Sequence, residues 1–297
     1  MSPRLKRTGF IALFSLPTFL FFCFFTLYPI LKGVQYSFYD WSGRSQKMDF
    51  IGFDNFKELL SDPIIWTAIG NDYFLVVGKV IGIMLLATFF ALSVTRLKVK
   101  GKSIFRAIFF IPNVISVVVI GVLFRYIYNP NLGFINSFLS LFTENPVQIQ
   151  WLGSEKLAMW SLLWPSIWAG IGFYMILLIA AILSIPAELY EAAELDGATQ
   201  NQQFWKLSLP LIWEQIKVSA LHITMTTLNG SFIIVWIMTE GGPDNSTQVM
   251  GSYLYQMGFR QFHMGYAAAI GVLILILSLI TTMALQKLLH RNTIELA

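Results

Sequence analysis

The sequence predicts an all-α, polytopic membrane protein with six transmembrane helices. Three observations carry this. Of 297 residues, 56% are hydrophobic and only 12% are charged, whereas a soluble domain is about a quarter charged. The mean hydropathy is +0.65. The apolar residues also gather into six stretches, each near the roughly 20 residues that a spanning helix needs. The 26 Phe, 11 Tyr and 9 Trp suit lipid contact and interfacial belts.

The spans are predicted at 10–31, 73–94, 108–128, 157–184, 216–238 and 266–288, within a single transmembrane domain covering 1–297. The fourth is long enough to tilt or to extend past the lipid. The first has the basic start of a secretory signal, with Arg4, Lys6 and Arg7. Its apolar run is too long for one, and Leu27-Tyr28-Pro29-Ile30 follows where a small-residue cleavage site would stand, so it is expected to be a retained anchor.

Basic residues set the orientation. With both termini inside, the inner face holds Arg4, Lys6, Arg7, Arg96, Lys98, Lys100, Lys102, Arg106, Lys206, Lys217, Lys287 and Arg291. The outer face holds Arg44, Lys47, Lys57, Lys156 and Arg260, which makes 12 against 5. Lys32, Lys79 and Arg125 fall in spans or at their ends. The expected location is a bacterial or archaeal plasma membrane with both termini cytoplasmic.

Three loops then lie outside. In the first, 37–69, Asp54 can cap a short helix whose Phe56, Leu59 and Leu60 share a face. That helix either rests on headgroups or docks an external partner. The second, 129–156, carries an apolar patch at Phe134, Ile135, Phe138, Leu139 and Phe142. The third, 239–265, opens with Gly241-Gly242-Pro243, a sharp stop after a helix.

Several chemistries are disfavoured. Cys23 is the only cysteine, so there is neither an intramolecular disulfide nor a cysteine metal cluster. A net charge of +4, set by membrane topology, gives no reason to expect nucleic acid. Gly101-Lys102-Ser103 lacks the upstream glycine of a Walker A loop. His222, His263 and His290 are scattered, without metal-site spacing. No catalytic residue, metal or cofactor is expected. A gradient-driven carrier or channel usually needs intramembrane carboxylates, and here Asp72 and Glu214 fall at predicted span ends. That class is kept as the alternative. Lys79, roughly 10 Å below the outer end of the second span, either snorkels outward or faces the interior; snorkelling is the expectation, under which Lys79→Met leaves transport nearly intact.

The inner loop 186–210 is different in kind. Glu188, Glu191 and Glu194 suit the positive N-terminal end of a short helix that Pro186 begins and Gly197 ends. Thr199 and Gln202 have capping-box spacing for the next helix. Leu189, Ala192, Ala193 and Asp196 fall along one face. An acidic helix gains little from an anionic membrane surface. Its two alanines allow it to enter a groove on another protein, where Glu191 can meet a basic group. The alternative is an ordinary helical hairpin loop.

The chain resembles the permeases of carbohydrate ABC importers, the group that includes maltose, glycerol-3-phosphate and multiple-sugar systems. The loop matches their coupling segment at Glu191, Ala192, Ala193, Asp196, Gly197, Ala198 and Leu209-Pro210. Leu27-Tyr28-Pro29-Ile30 with Tyr36-Ser37-Phe38, the stretch Phe50-Ile51-Gly52-Phe53-Asp54-Asn55-Phe56, and Gly101 to Arg106 with Ile111-Pro112 are similar to family segments too. So are Thr239-Glu240-Gly241-Gly242-Pro243 and Gly265-Tyr266-Ala267-Ala268-Ala269.

The resemblance implies a type I permease fold and a heterodimer with a second permease. It also implies two ABC ATPase subunits, an extracytoplasmic solute-binding protein and a carbohydrate substrate moved into the cytoplasm. ATP would be hydrolysed by the partner, with Tyr190, Glu191, Ala192, Ala193, Asp196, Gly197 and Ala198 docking it. The chain is similar to the first permease of such pairs, which lines the sugar path. Counted from Glu191, the path positions are Ser166, Trp168, Ala169, Gly170 and Phe173 in the fourth span, and Ile223, Thr226, Thr227 and Gly230 in the fifth. Aromatic and hydroxyl groups there can stack on and hydrogen-bond a sugar. Small residues at such positions also simply pack spans together.

Overall fold

The computed structural model describes residues 3–96 and 101–290. Lys98, Lys100 and Arg291, counted above on the inner face, lie outside the described residues, as do the side chains of Arg4, Lys6, Arg7 and Arg96. The chain divides into two compact units, Met1–Asp62 with Tyr253–Leu275, and Pro63–Ser252 with Ile276–Ala297.

In the first unit, α1 (Pro3–Phe22) continues through a π turn, Cys23–Leu27, into α2 (Tyr28–Tyr36). A two-residue ladder follows, β1 (Tyr39–Asp40) antiparallel to β2 (Asp49–Phe50), with Tyr39 opposite Phe50. The expected short helix is α3 (Asp54–Ser61), but Asp54 is its first residue rather than its cap. Asp54 instead pairs with Lys57 at 2.7 Å. The buried face is Asn55 and Leu59, while Leu60 is turned outward. The reason is polar: Asn55 Nδ2 donates to the carbonyls of Ser37 at 2.9 Å and Tyr39 at 3.0 Å, fixing α3 by that side. The Tyr253 and Tyr266 hydroxyls both donate to the Asp62 carboxylate, at 2.6 and 2.7 Å. Burial, and then the Asp62 charge, push the Tyr253 phenol above its ordinary range, so it remains a donor.

The second unit opens with α4 (Pro63–Arg96), ten residues before the predicted start of the second span. Pro63 suits a first helical position, having no amide to leave unpaired. At 34 residues, α4 is about 51 Å long. Asp72, expected at a span end, therefore lies within α4, with its side chain fully buried. Its carboxylate accepts from Ser231 Oγ at 2.8 Å and from the Met250 amide at 2.9 Å. The neighbouring Asn71 Nδ2 donates to the carbonyls of Ser246 and Gln248, both at 2.8 Å. Buried polar groups need such partners, and here they hold the segment that follows Gly241-Gly242-Pro243.

The third predicted span is two helices, α5 (Lys102–Val114) and α6 (Val117–Ile127), bent by 97°. Pro112 cannot donate into the helical ladder. Ile115 and Ser116 then take extended backbone, with ψ 135° and 137°, and Ser116 Oγ accepts from the Val118 amide at 3.3 Å to begin α6. Arg125 places Nη1 3.1 Å from the carbonyl of Ile237, at the C-terminal end of a later helix where cations are favoured.

Beyond α7 (Phe134–Ser140) run α8 (Glu155–Leu183), α9 (Ala187–Leu195), α10 (Gln200–Gln203), α11 (Leu209–Leu211) and α12 (Trp213–Met238). The core forms where α4, α5 and α12 pack on α8, around Leu75, Ile83, Leu162, Met175, Leu178 and Ile223. At Gly172 the approach is close: a Cβ there would strike the backbone of Phe109 and Phe110 in α5. The short α13 (Met250–Tyr255) and the long α14 (Met264–Leu288) complete the chain. The first, second, fourth, fifth and sixth predicted spans thus each correspond to an apolar helix of spanning length, and the third to the bent pair.

Candidate functional site

Ser166, Ala169, Gly170 and Phe173 recur at three- and four-residue spacing, so helical geometry puts them on one face of α8. Ile223 and Thr226 do the same on α12. These six, all expected on the substrate path, line one open cavity of about 370 Å³. The other three do not line it. Trp168 packs against Phe124 of α6, with ring centroids 5.8 Å apart. Thr227 is fully buried and donates to the Ile223 carbonyl at 2.7 Å. Gly230 is exposed, with open space where a Cβ would stand.

The cavity also contains residues that the sequence reading did not single out as path residues: Lys79 and Ile83 from α4, Asn113 from α5, Tyr174 and His222. Tyr174 Oη and His222 Nδ1 are hydrogen-bonded at 2.8 Å. His222 precedes Thr226 by four residues, a spacing that puts them on one face; that signal was available. Lys79 and Asn113 come from other helices, and no local pattern announces them.

Lys79 departs from expectation. Because α4 starts at Pro63, Lys79 lies about 24 Å along it, near its middle. Its side chain lines the cavity. Among the described residues it has neither a hydrogen bond nor an ion pair.

The hydroxyls are set for acceptance. Ser166 Oγ donates to the Leu162 carbonyl and Thr226 Oγ1 to the His222 carbonyl, each at 2.8 Å. With their protons so committed, both oxygens are left to act as acceptors. The Phe173 ring supplies an apolar face. The set can stack on a polyol ring and accept from its hydroxyls.

The acidic segment forms α9, with Glu188 in its first turn and Pro186 at its cap. Gly197 has φ +78°, the left-handed conformation that favours glycine. Its amide donates to Glu194 and that of Ala198 to Ala193, which closes the helix as a Schellman motif. Thr199 and Gln202 form the expected capping box. Glu191, Ala192, Asp196 and Gly197 are exposed, and Ala193 and Ala198 are partly so. Leu195 stands 90% exposed. Tyr190 turns the other way: it is buried, with its hydroxyl 2.9 Å from that of buried Ser208. Ala192 and Asp196 therefore face outward, whereas Leu189 packs against the core. Beside α9, Glu191 and Glu194 border a cavity of about 560 Å³ reaching Phe89 and Ser93 at the end of α4.

Residues 83–295 match the family model described as binding-protein-dependent transport system inner membrane component. The chain is 36% identical to the probable ABC transporter permease protein YurN of Bacillus subtilis (strain 168), over 93% of this chain and 94% of that one. It is 31% identical to the diacetylchitobiose uptake system permease protein NgcF of Streptomyces coelicolor, over 97% and 84%. Two crystal structures of a bacterial ABC transporter that imports the acidic polysaccharide alginate, one with a pentasaccharide-bound periplasmic protein, superpose with TM-scores of 0.85 and 0.84. Both are 25% identical and cover 98% of each chain. With α9 exposed between two cavity-lining helices and this likeness over nearly its whole length, the chain belongs to the family of binding-protein-dependent transport system inner membrane components, the permease subunits of ABC importers.

Proposed function

We propose that this permease conducts a sugar or sugar derivative into the cytoplasm, driven by a separate pair of ATPase subunits that grip α9. One observation carries the reading: α9 lies in the chain between α8 and α12, the two helices that contribute all six of the expected cavity residues. A pull on α9 therefore reaches both walls through the backbone. ATP binding draws the ATPase pair together, moves α9 and opens the path outward; hydrolysis resets it.

In this reading Glu191, Ala192, Ala193, Asp196, Gly197 and Ala198 meet the ATPase, and inward-facing Tyr190 positions them. Ser166, Ala169, Gly170, Phe173, Ile223 and Thr226 contact the sugar. Trp168, Thr227 and Gly230 belong to the path only through their helices. The chain is one transmembrane domain with six spans, both termini and the 186–210 loop in the cytoplasm. A second permease completes the open side of the cavity, and an extracytoplasmic binding protein delivers the cargo. The sugar-uptake names among its relatives support the substrate class.

The test is Glu191→Ala in the assembled importer reconstituted in vesicles. Uptake should fall to background while the protein remains at normal membrane levels. Undiminished uptake would overturn the coupling role, and uptake by the chain without any ATPase would replace this reading with a gradient-driven carrier.

A further inference from the structure

The cavity between α8 and α12 contains a charge that a neutral sugar would leave unanswered. Lys79 carries three N–H donors on a cation, and among the described residues nothing accepts from it. Among the described residues, no Asp or Glu lines the cavity. The carboxylate nearest along α4 is Asp72, two turns away and already bonded to Ser231 and Met250. Holding a lone ammonium among apolar helices is expensive, and such residues mark substrate and ion pathways.

The rest of the lining deals with neutral chemistry. Ser166 and Thr226 accept from hydroxyl groups, as argued above, and Phe173 offers a ring face. The Tyr174 hydroxyl is hydrogen-bonded to His222 and also interacts with the Thr226 side chain. A site for an uncharged polyol gains most from carboxylates, which accept two hydroxyl protons at once. This lining has none and has a cation instead.

We infer that the cargo bears a negatively charged substituent, a carboxylate, sulfonate or phosphate on a saccharide, and that Lys79 binds it while the α8 and α12 hydroxyls take the sugar ring. This deepens the sugar-importer reading and rests on it. Lys79 is then a specificity residue of the path and not a packing residue.

The experiment compares uptake by the complete importer, with its binding protein, of labelled saccharides that differ in charge: a neutral disaccharide, a uronate disaccharide, a sulfonated sugar and a sugar phosphate. At least one anionic probe is expected to be carried, and the one that is carried identifies the anion. Lys79→Met should lower its uptake about tenfold or more, the loss expected for one hydrogen bond to a charged group, and Lys79→Arg should retain most of it. If Lys79→Met is missing from the membrane, Lys79→Gln against Lys79→Arg carries the comparison. Uptake of the neutral disaccharide alone, or anionic uptake equal in the Arg and the Met or Gln variants, would overturn the inference and leave a sugar importer. Uptake of none of the four, by an assembly that still hydrolyses ATP, would overturn the sugar reading and this inference with it.

Discussion

Tyr190 turns inward from a largely exposed acidic helix, and its hydrogen bond to Ser208 ties α9 to the turn that leads into α12. Tyr190→Phe removes that bond and leaves the buried Ser208 hydroxyl without it, at a cost of about 1–3 kcal/mol. We expect a lower unfolding temperature for the purified protein and, because α9 is then less firmly held, less sugar carried per ATP. An unchanged ratio of uptake to hydrolysis would show that Tyr190 serves stability alone. Gly197 is a different kind of residue. Its φ of +78° lies outside what proline adopts, so Gly197→Pro must break the Schellman closure. Uptake should be lost with insertion intact, as membrane fractionation would reveal. At the cavity, Thr226→Val keeps the shape and removes an acceptor. Losing one neutral hydrogen bond is worth about 1 kcal/mol, so the transport KM should rise roughly fivefold, with little change in protein level.

Among the elements, the contact of α5 with α8 leaves no room for a side chain at Gly172. Gly172→Ala would push a methyl group into the Phe109 carbonyl, a backbone atom that no rotamer change can move aside. Overpacking of this kind costs about 1–3 kcal/mol, and a thermal melt of the detergent-solubilised protein should show it. Ala at the exposed, uncrowded Gly230 should show no such loss. Helix periodicity made much of this legible in the sequence. Five apolar runs correspond to five long helices, and the four α8 residues counted from Glu191 that line the cavity share one face because a rigid helix preserves phase. The errors have physical causes. The break at Ile115 and Ser116 sits inside a continuous apolar run, where hydropathy has no contrast. The early start of α4 was obscured by Asn71 and Asp72, which resemble a span end until the groups that bond them are known. Lys79 and Asn113 reach the cavity from helices distant in sequence, which only tertiary packing discloses.

For the molecule as a whole, the proposal predicts its company. Gentle purification from native membranes should bring down a second six-span permease and a Walker A ATPase; a lone chain still transporting without ATP would refute the assembly. The bend between α5 and α6 bears on how such an assembly could move. α5 packs on α8, whereas α6 packs mainly on α12. A straight helix in that place would act as a splint, and separating α8 from α12 would require it to buckle and rupture its own amide ladder. Instead the joint is two residues, Ile115 and Ser116, whose backbone is already extended. The chain has left its crossbar sawn through at the spot where flexing would otherwise be resisted most.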